Sequence, residues 1–353
     1  MKHSRRIIRP LIYVVAILAA VFVLRWVDRA SDNPEYVREF GLFGTYGRLT
    51  FWARPQLAKA AADEIQAELT ALHTILNNYS ETSELSRLNR TAFDAPFKCS
   101  PELWEAIEAG RKAYDLSDGA FDISIGALMD VWGFHRRRDT YPADEEVQQA
   151  LSACGLDKIT FNENDRTVKF SHPETRLDFG GIAKGYGLDI AARIAEKHGI
   201  SAGMIDLGGN VYCLPKPPPG KPAYTVGIRN PFNPKKIMQT IPVLDQAVAT
   251  SGNYENYQYI DGKFVHHIID PATGYPVERT ASVTFVTPTG LLSDVYSTAV
   301  FVNGAPLAER LGTEIPRTSA IMIKNDDDGA VRILSWKWPR NVQQLTAQLT
   351  KTP

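Results

Sequence analysis

The sequence predicts an α+β fold: a single large domain of mainly antiparallel sheets with packed helices. Three observations lead there. The chain has 353 residues, 44% hydrophobic and 22% charged, which is globular composition with enough apolar content for a sizeable core. Helical and strand patterns are interspersed without regular βα alternation. The second half is rich in strand patterns joined by short turns.

In chain order, Lys2, Arg5, Arg6 and Arg9 precede an uncharged apolar run from Leu11 to Leu24, followed by Arg25 and Trp26. A basic flank before such a run is a secretion signal in physical terms. The run is short for a spanning helix, which needs ~20 residues, and reaches closer to that length if Arg25 snorkels. We read residues 1–30 as an uncleaved signal anchor with its flank, cleavage after Ala30 being the alternative. This expects an inner-membrane location with the folded body on the extracytoplasmic, periplasmic side. Residues 31–42 read as a linker, and 43–353 as the folded domain.

"YGRLTFWA" reads as the first strand. From Pro55 to Asn77, Leu57, Ala61, Ile65, Leu69, Leu72 and Leu76 recur at helical spacing. The next helix opens at "SPELWEAIEAGRKAY", with Ser100 as N-cap and Pro101 at its first position. "DEEVQQALSAC" is helical, "KITFNENDRTVKF" a hairpin, and Ala183 to His198 a helix stopped by Gly199. "GMIDLGGNVYCL", "AYTVGIRN", "IPVLDQAVATS", "NYQYIDGKFVHHII" and "ASVTFVT" are candidate strands, Asp261-Gly262 being a hairpin turn. Two short helices, Ser293 to Val302 and Ala305 to Leu311, precede a closing hairpin, "SAIMIKNDDDGAVRILSW".

Charge and cysteines exclude some classes. A formal net charge of −1 argues against a bulk electrostatic nucleic-acid binder. The basic run "HRRRD", His135 to Asp139, reads as solvated loop. Cys99, Cys154 and Cys213 are far apart and odd in number, so they form neither a metal spacing nor a disulfide framework and read as buried thiols.

Four clusters could carry chemistry. "DFGGIAKGYGLD" puts glycines just before a helix, where backbone N–H groups can face an anion; tight helix packing explains them equally well. Ser293 can cap a helix that places Asp294 and Thr298 at i and i+4. A carboxylate and a hydroxyl, supplemented by backbone carbonyls, suit Mg²⁺ or Ca²⁺. The alternative is an Asp on the helix dipole and a Thr bonded back to a carbonyl. In "GAFDISIGALMDVWGF", Phe121, Leu128 and Trp132 read as core. Tyr79, in "NNYSETSELSRLN", reads as exposed, with Ser83 capping the next helix. His266 and His267, adjacent on a strand, point to opposite faces.

Taken together and in this order, the segments "FGTYGRLTF", "YSETSELSRLN", "GAFDISIGALMDVWGF", "LDFGGIAKGYGLDIAA", "DLGGNVY", "VGIRNP", "ATSGNYE", "HHIIDPATGYPV" and "SDVYSTAVFVNG" resemble the ApbE family, the FAD:protein FMN transferases. The match spans roughly Phe43 to Gly304. It implies a T-fold-related α+β architecture and FAD as a substrate bound with its pyrophosphate on Mg²⁺. It also implies Mg²⁺-dependent transfer of FMN to a threonine hydroxyl of an acceptor flavoprotein, with AMP leaving; the family expectation for that acceptor is a subunit of a membrane redox complex. The metal ligands it implies are Asp294, Thr298 and the carbonyl of Ala183. The flavin and nucleotide contacts it implies are Phe43, Tyr79, Ala120, Phe121, Asp122, Gly180, Tyr186 and Ile268, and His267 matches the family histidine linked to activity. Phe43 stands where the family usually has methionine. Two rival readings stand beside it: an FAD pyrophosphatase, which would use the same residues to release FMN and AMP to water, and a non-enzymatic, membrane-tethered FAD-binding protein, which would need neither Asp294 nor His267.

Overall fold

The computed structural model of the chain describes residues 33–325, 330–342 and 345. The expected anchor of residues 1–30 lies outside the described residues. Among those described, no helix is long and apolar enough to cross a membrane.

The fold opens with an antiparallel pair, β1 (Glu35–Leu42) and β2 (Thr45–Trp52). Glu35–Leu42, read in the sequence as linker, is therefore a strand. Only one of its faces touches protein: Tyr36, Arg38 and Phe40 are half-buried while Glu35, Val37 and Glu39 are exposed. An edge strand that alternates so weakly leaves little apolar contrast to read. Phe43 and Gly44 form the turn, with φ of 49° and 69°.

Helix α1 (Pro55–Leu76) buries Ala61, Ile65, Leu69, Leu72 and Leu76, the stripe its spacing predicts. Ser83 caps α2 (Glu84–Thr91), its hydroxyl accepting the Ser86 N–H at 3.0 Å. Strand β3 (Phe97–Lys98) leads to α3 (Pro101–Leu116), capped by Ser100, and then α4 (Gly126–Val131) and α5 (Asp144–Ser152). The hairpin of β4 (Ile159–Asn162) and β5 (Thr167–Phe170) completes a small sheet with β3. Helix α6 (Ala183–Lys197) follows.

Two stretches read as single strands are strand pairs. "GMIDLGGNVYCL" folds into β6 (Gly203–Leu207) and β7 (Asn210–Cys213), because Gly208 and Gly209 take φ of 62° and 94° and turn the chain back. After β8 (Tyr224–Asn230), "IPVLDQAVATS" divides between β9 (Asn233–Val243) and β10 (Gln246–Gly252), with Asp245 at φ 51° between them. The Asp261-Gly262 turn joins β11 (Tyr257–Ile260) to β12 (Lys263–His266) as expected. Strand β13 (Thr280–Thr287), helices α7 (Gly290–Asn303) and α8 (Ala305–Glu314), and the pair β14 (Ser319–Asn325) and β15 (Val331–Trp336) close the chain.

One antiparallel sheet organises these elements, in the order β1-β2-β6-β7-β10-β13-β14-β15. The α+β, mainly antiparallel expectation holds. Strand alternation separates two cores: Ala320 and Met322 of β14 pack with α7 and α8, while Ile321 and Ile323 pack with β8 and β9. Helix α7 buries nearly its whole circumference, including Val295, Tyr296, Ala299, Val300 and Phe301. Each such large apolar side chain contributes roughly 1.5–3 kcal/mol. A separate cluster of Leu128, Trp132, Val147, Ile260, Val265 and Ile269 fixes the β11–β12 hairpin against α4 and α5.

Candidate active site

Helices α6 and α7 meet backbone to backbone. A Cβ on Gly185 would lie 2.4 Å from the Gly290 carbonyl oxygen, and one on Gly290 would lie 2.4 Å from that of Gly185. The glycines of "DFGGIAKGYGLD" thus include a tight packing contact. That contact brings Asp294 to the start of α6, where its Oδ2 accepts the Gly185 N–H at 2.8 Å. Its Oδ1 accepts from Asn210 Nδ2 at 2.7 Å and lies 3.8 Å from Lys184 Nζ. In return, Asp189 of α6 accepts the N–H groups of Gly290 and Leu291 at 2.6 and 2.9 Å. Ser293 is not the N-cap of α7: Thr289 is, and the Ser293 hydroxyl donates to the Gly290 carbonyl within the helix. Asp294 and Thr298 still share a face, one turn apart.

Lys184, Asp294 and Thr298 line a cleft open to solvent. Ala120, Phe121, Asp122, Gly180, His267, Ile268, Asp294 and Thr298 all line it, so the structure brings most of the sequence-singled residues together. Ala183 begins α6 between the lining residues Gly181 and Lys184. Phe121 is both core and wall, as a Cβ on Gly181 would reach its ring at 2.9 Å. Tyr79, 70% exposed, lines an adjoining hollow. Phe43 and Tyr186 line neither: Phe43 packs edge-on against His73, and the Tyr186 hydroxyl donates to Glu105. Five polar lining residues carried no assigned role in the sequence reading: Asp178, Lys184, Thr250, Ser251 and Glu255. All lay inside quoted motifs, which was the available signal.

The two adjacent histidines differ in kind. His266 is buried, donates from Nε2 to the Val277 carbonyl at 2.8 Å and accepts the Ile268 N–H on Nδ1 at 3.3 Å. Both its nitrogens are used internally. His267 donates from Nδ1 to the Asn256 carbonyl at 3.0 Å, which leaves the Nε2 lone pair as its acceptor. Burial, with the Lys184 charge adding to it, lowers its pKa to about 4. It is a neutral imidazole at physiological pH. The loop that follows is held by Asp270, whose carboxylate accepts from the Ala272 N–H at 2.8 Å and the Thr273 hydroxyl at 3.2 Å. Trp132 Nε1 donates to the Gly274 carbonyl at 2.7 Å.

"HRRRD" is not simply solvated loop. Arg138 pairs with Glu146 at 3.1 Å and donates to the carbonyls of Val131 and Thr140. His135 sits between Asp130 (Nδ1 to Oδ1, 2.9 Å) and Asp178 (Nε2 to Oδ2, 2.7 Å). Burial opposes its charge, but the two carboxylates outweigh it and raise its pKa to about 10. Burial likewise pushes Asp178 upward, yet its bonds to His135, the Gly180 N–H and Asn78 hold it below the usual carboxylate range. Asp178 lines the cleft and His135 the hollow, so the pair forms the partition between them. Burial raises both Asp122 and Glu255.

A hard cation fits the α6–α7 corner. Asp294, Thr298 and the Ala183 carbonyl are all oxygen donors. Each Asp294 oxygen accepts one protein hydrogen bond and retains a lone pair. Among the described residues no group of three His, Cys, Asp or Glu side chains could hold an ion, so neutral oxygens must complete any shell. Mg²⁺ tolerates this, since it keeps waters and substrate phosphates as ligands. Thr298 is also bonded back, donating to the Asp294 carbonyl at 3.2 Å, and lies 3.0 Å from the Ser251 hydroxyl. The three cysteines are buried and free, with burial pushing each thiol up to about 12.

A sequence model of the ApbE family matches residues 43–322. The chain belongs to the ApbE family. Among curated relatives of this ApbE chain, the FAD:protein FMN transferase of Vibrio cholerae is 31% identical over 294 residues, 81% of this chain and 86% of that protein. The enzyme of the same name from Escherichia coli K12 is 30% identical over 310 residues, 84% and 88% of the two. Among solved structures, the ApbE protein of Thermotoga maritima superimposes with a TM-score of 0.77 at 27% identity, covering 85% of this chain and 96% of that one. The flavin transferase ApbE of Vibrio cholerae gives 0.76 at 27%, covering 86% and 98%. The resemblance read from the motifs is thereby borne out, and the chain is an enzyme of the transferase class.

Proposed function

We propose that the protein transfers FMN from FAD to a threonine hydroxyl of an acceptor protein, with Mg²⁺ bound and AMP as the leaving group. The observation that carries the proposal is the single cleft lined by a tautomerically fixed, neutral His267 together with Asp294 and Thr298, beside the helix start at Ala183. The threonine Oγ forms a bond to the FMN phosphorus as the bond from that phosphorus to the bridging oxygen breaks. The hydroxyl proton goes to His267 Nε2, and the electron pair leaves on AMP. Such displacements need charge neutralisation and in-line placement more than covalent help. When bound, Mg²⁺ supplies neutralisation of the pyrophosphate oxygens. Lys184, beside Asp294, adds a second positive charge. Phe121 and Ile268 give the cleft an apolar wall against the flavin nucleotide, and Tyr79 offers an exposed ring at the neighbouring hollow. By the same reading, residues 1–30 anchor the enzyme in the inner membrane with this cleft outside the cytoplasm, facing a flavoprotein subunit of a membrane redox complex.

The test is incubation of the protein with FAD, Mg²⁺ and a threonine-bearing acceptor, followed by mass analysis of the acceptor. The expected result is acceptor carrying FMN, with AMP in solution. Free FMN beside unmodified acceptor favours a pyrophosphatase, and unchanged FAD favours a storage protein. Full Mg²⁺-dependent activity in Asp294→Ala would remove the metal assignment.

A further inference from the structure

We propose that His135 is a positioning residue for the dinucleotide: clamped between Asp130 and Asp178, its imidazolium cancels the Asp178 charge at the cleft wall and lets an anionic pyrophosphate lie beside the Gly180–Gly181 turn. The inference rests on the reading of the cleft as an FAD site. A histidine with carboxylate acceptors on both nitrogens must donate from both, and is therefore a cation.

Four carboxylates line the cleft: Asp122, Asp178, Glu255 and Asp294. Burial shifts Asp122 and Glu255 toward the neutral acid. Asp294 faces Lys184 and belongs to the cation corner. Asp178 is different. Its bonds to His135, the Gly180 N–H at 2.7 Å and Asn78 favour the ionised form. Its cationic hydrogen-bond partner is His135, at 2.7 Å; Asn78, at 2.9 Å, is neutral. The other groups facing His135 are Asp130 on α4, the Tyr79 ring edge-on at 5.9 Å, and Glu81, Arg90, Arg136 and Arg176 around the hollow. Without the imidazolium, an incoming phosphate meets an uncompensated carboxylate in a partly dry wall, where like charges repel strongly.

The experiment titrates FAD, in Mg²⁺ buffer, into the full chain and into His135→Gln, Asp178→Asn and the double variant, reading flavin fluorescence. His135→Gln is expected to weaken binding on the order of tenfold, the scale of a single charge coupling. Asp178→Asn removes the charge needing compensation and, added to His135→Gln, is expected to restore most of the loss. A strut that merely held the loop would respond the opposite way, since the second substitution removes further bonds. Wild-type affinity in His135→Gln, or no recovery in the double variant, overturns the proposal. Should His135→Gln fail to fold, His135→Asn takes its place, alone and with Asp178→Asn, and the same outcomes decide. Failure of the wild-type chain to bind FAD would instead overturn the proposed function.

Discussion

His267 and His266 share a sequence neighbourhood and almost nothing else. With Nδ1–H committed to the Asn256 carbonyl, His267 presents a lone pair toward the cleft, and burial keeps it unprotonated down to about pH 4. Replacing it by Asn is expected to cut acceptor labelling by at least ~100-fold, the usual range for a general base, while FAD titration is unchanged. The acid limb of the transfer rate should fall near pH 4 and not near the ~6.5 of an ordinary imidazole; a limb at the ordinary value in a pH–rate profile would contradict the assignment. His135 titrates oppositely. Its folded pKa, about 10, lies above the unfolded value, so the stability it contributes is present in full below pH ~6.5 and is lost as pH rises through about 10. Melting temperatures of wild type and His135→Gln should therefore converge as pH climbs across that window. The sequence reading separated the two adjacent histidines by strand alternation, whereas β12 ends at His266 and His267 lies in the bend that follows. The role of His135 was not legible, because its partner Asp178 lies 43 positions further along the chain and nothing local announces the pairing.

At the scale of elements, the α6–α7 crossing decides where the oxygen donors sit. Gly185→Ala would drive a methyl group into the Gly290 carbonyl and the Asp294 Cβ, at 2.4 and 2.6 Å. Overpacking of this kind costs typically 1–3 kcal/mol, and the expected outcome is a lower melting temperature together with weaker Mg²⁺ activation in a metal titration. Asp294 also satisfies a helix N–H, so Asp294→Ala should lose roughly 1–3 kcal/mol of stability even in EDTA, which chemical denaturation would measure. Helices with local signals were readable: Ser83 and Ser100 cap α2 and α3 where the sequence put them. The start of α7 was not, since its first N–H groups are satisfied by Asp189, about a hundred residues upstream. Thr289, the true cap, sits just after Pro288 and before Gly290, a stretch that reads as turn as readily as helix.

The cleft as a whole draws on segments spread from Ala120 to Thr298, none of which forms a wall alone. Its assembly needs α4, α6, α7, β10 and the His267 loop packed together, so loss of FAD binding and loss of tertiary structure in urea should share one midpoint; binding lost well before global unfolding would show the site to be a separately stable unit. The antiparallel class of the sheet followed from strand patterns and short turns. Its order did not, because which strand lies beside which is set by the two cores. Strand β7, for instance, joins β10 across the intervening β8–β9 pair. One long-range bond has a practical side. Trp132 is fully buried, and its indole N–H holds the Gly274 carbonyl in the same loop that carries His267, 142 positions away. With the other five tryptophans replaced by phenylalanine, that hydrogen bond would make the indole an intrinsic optical reporter: its emission should shift when the loop leaves its seat, so rearrangement around an arriving acceptor could be followed in real time without any attached dye.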